Sequence, residues 1–118
     1  MKRIILLLLL AITFSTAGAQ NKVQEKKIKY FVTEATKELD LSKRKSRKLL
    51  KTRKQYVLDY LEIAKNFKKG DLSPGEKKVE INDVNMAFNS NFAEITGKPS
   101  ADIKKFMTRM RKELPNIQ

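Results

Sequence analysis

The chain of 118 residues contains 26 lysine and arginine residues, 13 aspartate and glutamate residues and no histidine or cysteine, which gives a formal charge of +13. The absence of histidine and cysteine excludes Ser-His and Cys-His nucleophiles, thiolate metal sites and disulfides. We therefore predict neither a metal site nor a cofactor. A protein of this charge repels copies of itself and attracts anionic surfaces or acidic polypeptides.

The N-terminus has the pattern of a secretory signal peptide. Lys2 and Arg3 precede an uninterrupted apolar run over residues 4–12, and small residues occupy positions 17–19. A membrane anchor is the alternative, but crossing a bilayer takes about 20 mostly apolar residues and this run is shorter. We therefore expect cleavage after Ala19 and a periplasmic or secreted protein.

Residues 20–118 are then expected to form a single basic, all-helical domain. Without residues 1–19 the chain keeps 99 residues, and losing Lys2 and Arg3 lowers the formal charge to +11. A domain of this size can bury only a small core, of about two layers of helices, and it has no disulfide to stabilise it. We expect that a second copy of the chain completes the fold as a homodimer.

The first amphipathic segment predicts a helix over residues 22–38. Its apolar residues have the spacing of one helix face and are Ile28, Phe31, Val32, Ala35 and Leu39. Residues 40–42 then predict a break and a restart, with Ser42 as the N-cap of the second helix.

The longest periodic segment, residues 41–67, is apolar on one side and basic on the other. Two adjacent apolar stripes, wide enough for two neighbouring helices, consist of Leu49, Tyr56, Tyr60, Ile63 and Phe67 and of Leu50, Val57, Leu61 and Ala64. We expect this helix to end near Gly70, which would supply a left-handed C-cap, and Lys68 and Lys69 lie at the negative end of the helix dipole.

The cations of this second helix are concentrated in residues 43–54, which include no acidic residue. The helix dipole disfavours each cation in the first turn by about 0.3 to 1 kcal/mol. Like-charged pairs such as Arg44 with Lys48 cost a few tenths more. An ordinary solvated face is one interpretation, but the energetic cost favours a surface that binds an anionic partner.

Ser73 and Glu76 predict a capping box, with Pro74 at the first position of a third helix that ends at about Ile95. Its main apolar stripe consists of Ile81, Val84, Phe88, Phe92 and Ile95. A second series on roughly the opposite side consists of Val79, Met86 and Ala93. Two apolar faces indicate burial on both sides or an interface.

Residues 96–100 break the chain again, and we expect Ser100 to cap a fourth helix with Asp102 in its first turn and Pro115 at its end. Its apolar face consists of Ile103, Phe106, Met107, Met110 and Leu114. No segment has the alternation of a strand with hairpin signals. The sequence thus predicts an all-α fold, four helices in a small antiparallel hairpin or bundle.

Pairs of carboxylates are the remaining candidates for catalysis. They share helix faces as Glu34 with Glu38, Asp59 with Glu62, and Glu76 with Glu80 and Asp83. Acid–base catalysis requires two carboxyl groups held across a cleft with their pKa values pushed apart. Because these carboxylates alternate with lysines, as on a solvated face, we predict no enzymatic activity.

Two predicted helix starts share the pattern Leu-Ser-x-x-polar, in residues 41–45 and 72–76, and Ile95 and Thr96 begin a weaker third copy. The pattern resembles the Leu-Thr-x-x-Gln motifs of the Spy/CpxP family of small, basic, all-helical periplasmic proteins. Serine replaces threonine in both copies, and Lys45 stands where a glutamine would close the capping box.

The resemblance implies a curved antiparallel homodimer whose basic surface, with apolar spots, holds unfolding client proteins without ATP. Carried over by position, the client-binding residues are Arg44, Arg47, Lys48, Lys51, Lys54, Leu58 and Met86. We therefore expect an ATP-independent chaperone-like or stress-response accessory protein that binds unfolded or acidic polypeptides. A binder of anionic envelope material, such as lipopolysaccharide or polysaccharide, is the alternative. Expected secretion argues against nucleic acid as the partner.

Overall fold

A computed structural model describes residues 19–118, which form four α-helices. Helix α1 spans Ala19–Glu38, α2 spans Lys43–Lys68, α3 spans Pro74–Thr96, and α4 spans Ser100–Glu113 and continues into a 3-10 turn, Leu114–Asn116. The described residues contain no strand. The predicted all-α fold of four helices is confirmed, whereas the proposed signal peptide lies, apart from Ala19, outside the described residues.

Over residues 19–118, none of the helices has both the length and the apolarity that crossing a membrane requires.

The starts of α2 and α3 are set by the serines that precede them. Ser42 Oγ accepts a hydrogen bond from the backbone N–H of Lys45 at 3.2 Å. Ser73 Oγ accepts one from the N–H of Glu76 at 3.1 Å, and the N–H of Ser73 donates to Glu76 Oε1 at 2.8 Å. The predicted N-cap and the predicted capping box are therefore both confirmed.

The start of α4 differs from the prediction. Pro99 occupies the N-cap position, and no side chain caps this helix. A hydroxyl caps a helix only from the extended residue immediately before it, and Ser100 already lies within the helix. Ser100 is therefore not the cap, although Asp102 lies in the first turn as predicted.

The turns that follow α1 and α2 each contain one residue in the left-handed conformation. Gly70 has a φ of 85° just beyond the end of α2, as predicted. Asp40 has a φ of 51° after α1, at a position where glycine is the usual residue.

The core is centred on Phe31 of α1. Its ring centroid lies 5.7 Å from that of Phe88 and 5.5 Å from that of Phe92, both in α3. The ring of Phe106 in α4 lies 5.2 Å away. Phe88 is 3% exposed and the other three phenylalanines are fully buried. One side chain of α1 thereby joins three helices, through ring pairs that each add about 0.5 to 1.5 kcal/mol beyond their burial.

Polar contacts fix α2 against its two neighbours. The hydroxyl of Tyr56 donates to Asn85 Oδ1 of α3 at 2.7 Å. The hydroxyls of Thr36 in α1 and Ser46 in α2 are hydrogen-bonded at 2.7 Å. These contacts hold α2 between α1 and α3, the arrangement that its wide apolar face predicted.

Arg109 of α4 links that helix to α1. Its guanidinium binds Glu34 at 3.1 Å and Glu38 at 2.9 Å, and it binds Glu113 in its own helix at 2.8 Å. The hydroxyl of Tyr30 also donates a hydrogen bond to Glu113. The sequence placed Glu34 and Glu38 on a solvated face, but their side chains are only 20% and 29% exposed and hold a helix in place.

Replacing Phe31 with alanine should destabilise the fold more than most single substitutions do. We expect the free energy of unfolding, measured in urea, to fall by about 3 to 5 kcal/mol because the change leaves a cavity among three rings. The control is Met86→Ala, at a side chain that is 70% exposed. That change should stay within about 0.5 kcal/mol. Equal effects of the two substitutions would contradict the assignment of the core.

The Arg109 cluster should make stability depend on pH through Glu113. The hydrogen bond from Tyr30 lowers the pKa of Glu113, burial opposes this, and Arg109 lowers it further. Because the folded state favours the carboxylate, its stabilisation is complete above the unfolded pKa of about 4.3 and is lost as the pH falls through the lower folded value. We expect the stability difference between the wild type and Glu113→Gln to shrink in that acidic range.

Urea unfolding between pH 3 and pH 7 measures this effect, with Glu94→Gln as the control. Glu94 is exposed and forms no ion pair with any described residue. A Glu113→Gln difference that does not change with pH would exclude a stabilising role of the carboxylate.

Candidate functional site: the cationic face of α2

The five cations selected from the sequence lie together on the outer side of α2. We call this set the cationic face, and it consists of Arg44, Arg47, Lys48, Lys51 and Lys54. All five side chains are exposed, whereas Leu49 in the same turns is fully buried. At 100° per residue they occupy about one third of the helix circumference, opposite Leu49. The helix therefore buries Leu49 and Ile63 of its apolar stripe and presents these charges to solvent.

The cationic face forms no ion pair with a carboxylate of residues 19–118. The ion pairs between described residues involve only Lys37 and Arg109 as cations, and neither belongs to this face. No acidic residue interrupts residues 43–54. Because the fields of like charges add, the face carries a positive potential that attracts anions.

The first turn of α2 has a tertiary contact that offsets part of its unfavourable charge. Nζ of Lys45 donates a hydrogen bond to the carbonyl oxygen of Thr96, the last residue of α3, at 3.4 Å. The start of α2 therefore lies beside the end of α3, where the negative end of that helix dipole favours cations. The sequence therefore overestimated how much the cations of this turn destabilise the helix, because Lys45 has a hydrogen-bond partner in α3.

Arg53 belongs to the same basic run but points into the protein. Its guanidinium carbon lies 4.0 Å from the ring centroid of Phe31, 4.5 Å from that of Tyr56 and 4.8 Å from that of Phe88. Burial lowers the pKa of Arg53 to about 10, so the side chain stays charged at neutral pH. The basic run therefore divides into solvent-facing cations and one cation held against aromatic rings.

The two predicted apolar spots lie on different helices. Leu58 is half-buried and follows Lys54 by one turn, in line with the cationic face. Met86 is 70% exposed on α3, about 160° around that helix from the core residue Phe88. The structure therefore groups Leu58 with the cationic face and leaves Met86 on another surface.

The second apolar series of α3 is not covered within the described residues. Val79 is 60% exposed and Met86 is 70% exposed. Ala93, seven residues after Met86, is also exposed. The predicted alternative of burial on both sides of α3 is thus wrong within residues 19–118, and an interface with another molecule stays a prediction.

Sequence reasoning missed the separate roles of Arg53, Lys45 and Arg109. The position of Arg53 could have been found, because it lies four residues after Leu49 and seven before Tyr60, on the apolar stripe. The contacts of Lys45 and Arg109 had no such signal. Their partners lie 51 residues away for Lys45 and up to 75 residues away for Arg109.

Comparison with protein-family models, with curated proteins and with solved structures finds no significant match to this chain. The resemblance to the Spy/CpxP family therefore stays a prediction based on the starts of α2 and α3. Ser42 caps α2 through its hydroxyl, and Ser73 takes part in a complete capping box. At α2 the residue in the glutamine position, Lys45, contacts α3 instead of closing a box.

Removing charge from the cationic face should stabilise the protein slightly. We expect a variant with glutamine at Arg44, Arg47, Lys48 and Lys51 to gain about 0.5 to 1 kcal/mol in the free energy of unfolding at low salt, because like-charged pairs are lost. The matched control is Lys45→Met, which cannot close a capping box at Ser42 and should lose about 0.5 to 1 kcal/mol with its bond to Thr96. A loss of stability in the four-residue variant would show that these side chains hold the fold.

Proposed function

We propose that this chain is an ATP-independent chaperone-like or stress-response accessory protein that works in the periplasm or outside the cell and binds unfolded or acidic polypeptides. The observation that carries this proposal is the cationic face, whose five exposed side chains form no ion pair with a described residue. The helix keeps these charges although they repel one another. A partner with negative charge would remove that repulsion.

Electrostatic attraction accounts for capture of the polypeptide in this proposal. The field of the cationic face acts over a Debye length of about 8 Å at physiological ionic strength, so it accelerates encounters with acidic segments. Exposed charge pairs contribute little to affinity once the complex has formed. Binding through this face would therefore be fast and reversible, as release without ATP requires.

Short apolar contacts would hold a captured chain. Leu58 lies in line with the cationic face, and Met86 and Val79 are the most exposed large apolar side chains of α3. Methionine adapts its shape to varied apolar partners, which suits a surface that binds unfolded chains of different sequence. A homodimer is part of the proposal and would bring two cationic faces into one assembly.

The composition of the cationic face favours a second candidate, a binder of anionic envelope material such as lipopolysaccharide or polysaccharide. Five cations stand beside a single half-buried leucine, so charge dominates over apolar contact. Binding to a polyanion releases counterions and weakens steeply with salt. Nucleic acid is not proposed, because the expected secretion separates this chain from a genome.

The direct test is light scattering by an acidic client, reduced α-lactalbumin, as it aggregates. We expect the purified protein to suppress aggregation, and the variant with glutamine at Arg44, Arg47, Lys48 and Lys51 to bind the client about tenfold more weakly, equivalent to about 1.4 kcal/mol. The matched control removes four exposed cations from α1 and α4, by glutamine at Lys29, Lys104, Lys105 and Lys112. That control should retain most of the suppression.

Two results would refute the chaperone proposal. One is the absence of suppression by the wild type at equimolar dimer. The other is an equal loss in both four-residue variants, which would indicate an effect of net charge alone. Binding to lipopolysaccharide that disappears with salt, without any binding to unfolded protein, would favour the second candidate. Sedimentation equilibrium on the same samples gives the mass, and a monomer would contradict the dimer.

A further inference from the structure

A groove between α1, α2 and the C-terminal 3-10 turn lies on the side of α2 away from the cationic face. Its volume is about 310 Å³. Its walls are mainly apolar and aromatic side chains, namely Ile28, Tyr56, Val57, Tyr60, Leu61 and Leu114. We call it the Arg53 groove, because Arg53 also lines it, together with Lys27 and Gln24.

Arg53 brings a positive charge to this groove. Its guanidinium lies over the rings of Phe31, Tyr56 and Phe88, contacts that favour the charge but supply no carboxylate to pair with it. Arg53 forms no ion pair with any residue in the described part of the chain. Partial removal of a charge from water is unfavourable unless an opposite charge compensates it.

The charged side chains that line the groove favour a negatively charged ligand. Lys27 supplies a second cation, and none of the described residues that line the groove is acidic. A carboxylate placed between Arg53 and Lys27 would accept hydrogen bonds from both, and the planar guanidinium matches a carboxylate with two parallel N–H groups. The groove therefore combines two cationic side chains with apolar walls.

We propose that the Arg53 groove binds a single-chain fatty acid, with its carboxylate against Arg53 and Lys27 and its alkyl chain along Val57, Leu61 and Leu114. The volume lies at the low end of the range for small-ligand sites, about 300 to 1,000 Å³, which suits one short alkyl chain better than a lipid with several. This activity is separate from the polypeptide binding proposed for the cationic face, since the two surfaces lie on different sides of α2.

The ring of Tyr60 gives the ligand access to this site. Tyr60 lines the groove and is 40% exposed, and its ring centroid lies 6.1 Å from that of Tyr56. The exposed aromatic surface therefore continues inward from solvent to the ring on which Arg53 lies. An alkyl chain entering there would cover this apolar surface, which favours binding because the surface is removed from water.

Sodium decanoate below its micelle concentration is the probe, and amide chemical shifts of the purified protein are the measurement. We expect saturable shifts at Tyr60, Leu61 and Leu114 and none at Met86 or on the cationic face. Decanol has the same chain without the charge and should bind at least about tenfold more weakly. Equal binding of decanol, or shifts spread over the cationic face, would overturn the proposal.

Two lysine variants test the charge without disturbing the core. Lys27→Met should weaken decanoate binding about tenfold. Lys29→Met, an equal change at an exposed residue of the same helix that does not line the groove, should leave it unchanged. Arg53→Met should abolish binding. Because the stacking of Arg53 on three rings also supports the fold, a thermal melt of this variant checks that it is still folded. Equal affinities of the two lysine variants would refute the site.

Discussion

The ring of Phe31 is the contact on which the other features of this structure depend. It packs against Phe88 and Phe92 of α3 and against Phe106 of α4, and the guanidinium of Arg53 from α2 lies 4.0 Å above its centroid. All four helices thus meet at one side chain. This arrangement positions α2 so that its apolar stripe faces inward, and it therefore also determines which cations of α2 face solvent.

The cationic side chains of α2 have three different roles, and the position of each residue around and along the helix decides which role it has. The cationic face points to solvent, Lys45 reaches the carbonyl end of α3, and Arg53 lies on aromatic rings. Only the first of these leaves its charges fully available to a partner. The proposed binding of acidic or unfolded polypeptides therefore rests on the five side chains of the cationic face, and the proposed fatty-acid site rests on Arg53.

The affinities of the two proposed sites should differ in how strongly they depend on salt concentration. Attraction by the exposed cationic face is screened within about a Debye length of 8 Å, whereas a pair formed with Arg53 in the groove is screened much less. The affinity of the cationic face for a polypeptide should consequently be weak and adjustable. The groove is partly apolar and has a limited volume, so the proposed site would discriminate between ligands by size and charge.

The sequence by itself determined where the helices lie and where they begin and end. Which side chains of different helices contact one another was decided only by the tertiary structure. Apolar periodicity predicted four helices, and Ser42, Ser73 and Gly70 predicted boundaries that the structure confirms, since capping and left-handed turns involve residues only a few positions apart. The burial of Arg53 and the contacts of Lys45 and Arg109 join residues far apart in the chain. Periodicity shows which face of a helix is apolar, but not which helix covers it, so the sequence could predict the cationic face and not the groove behind it.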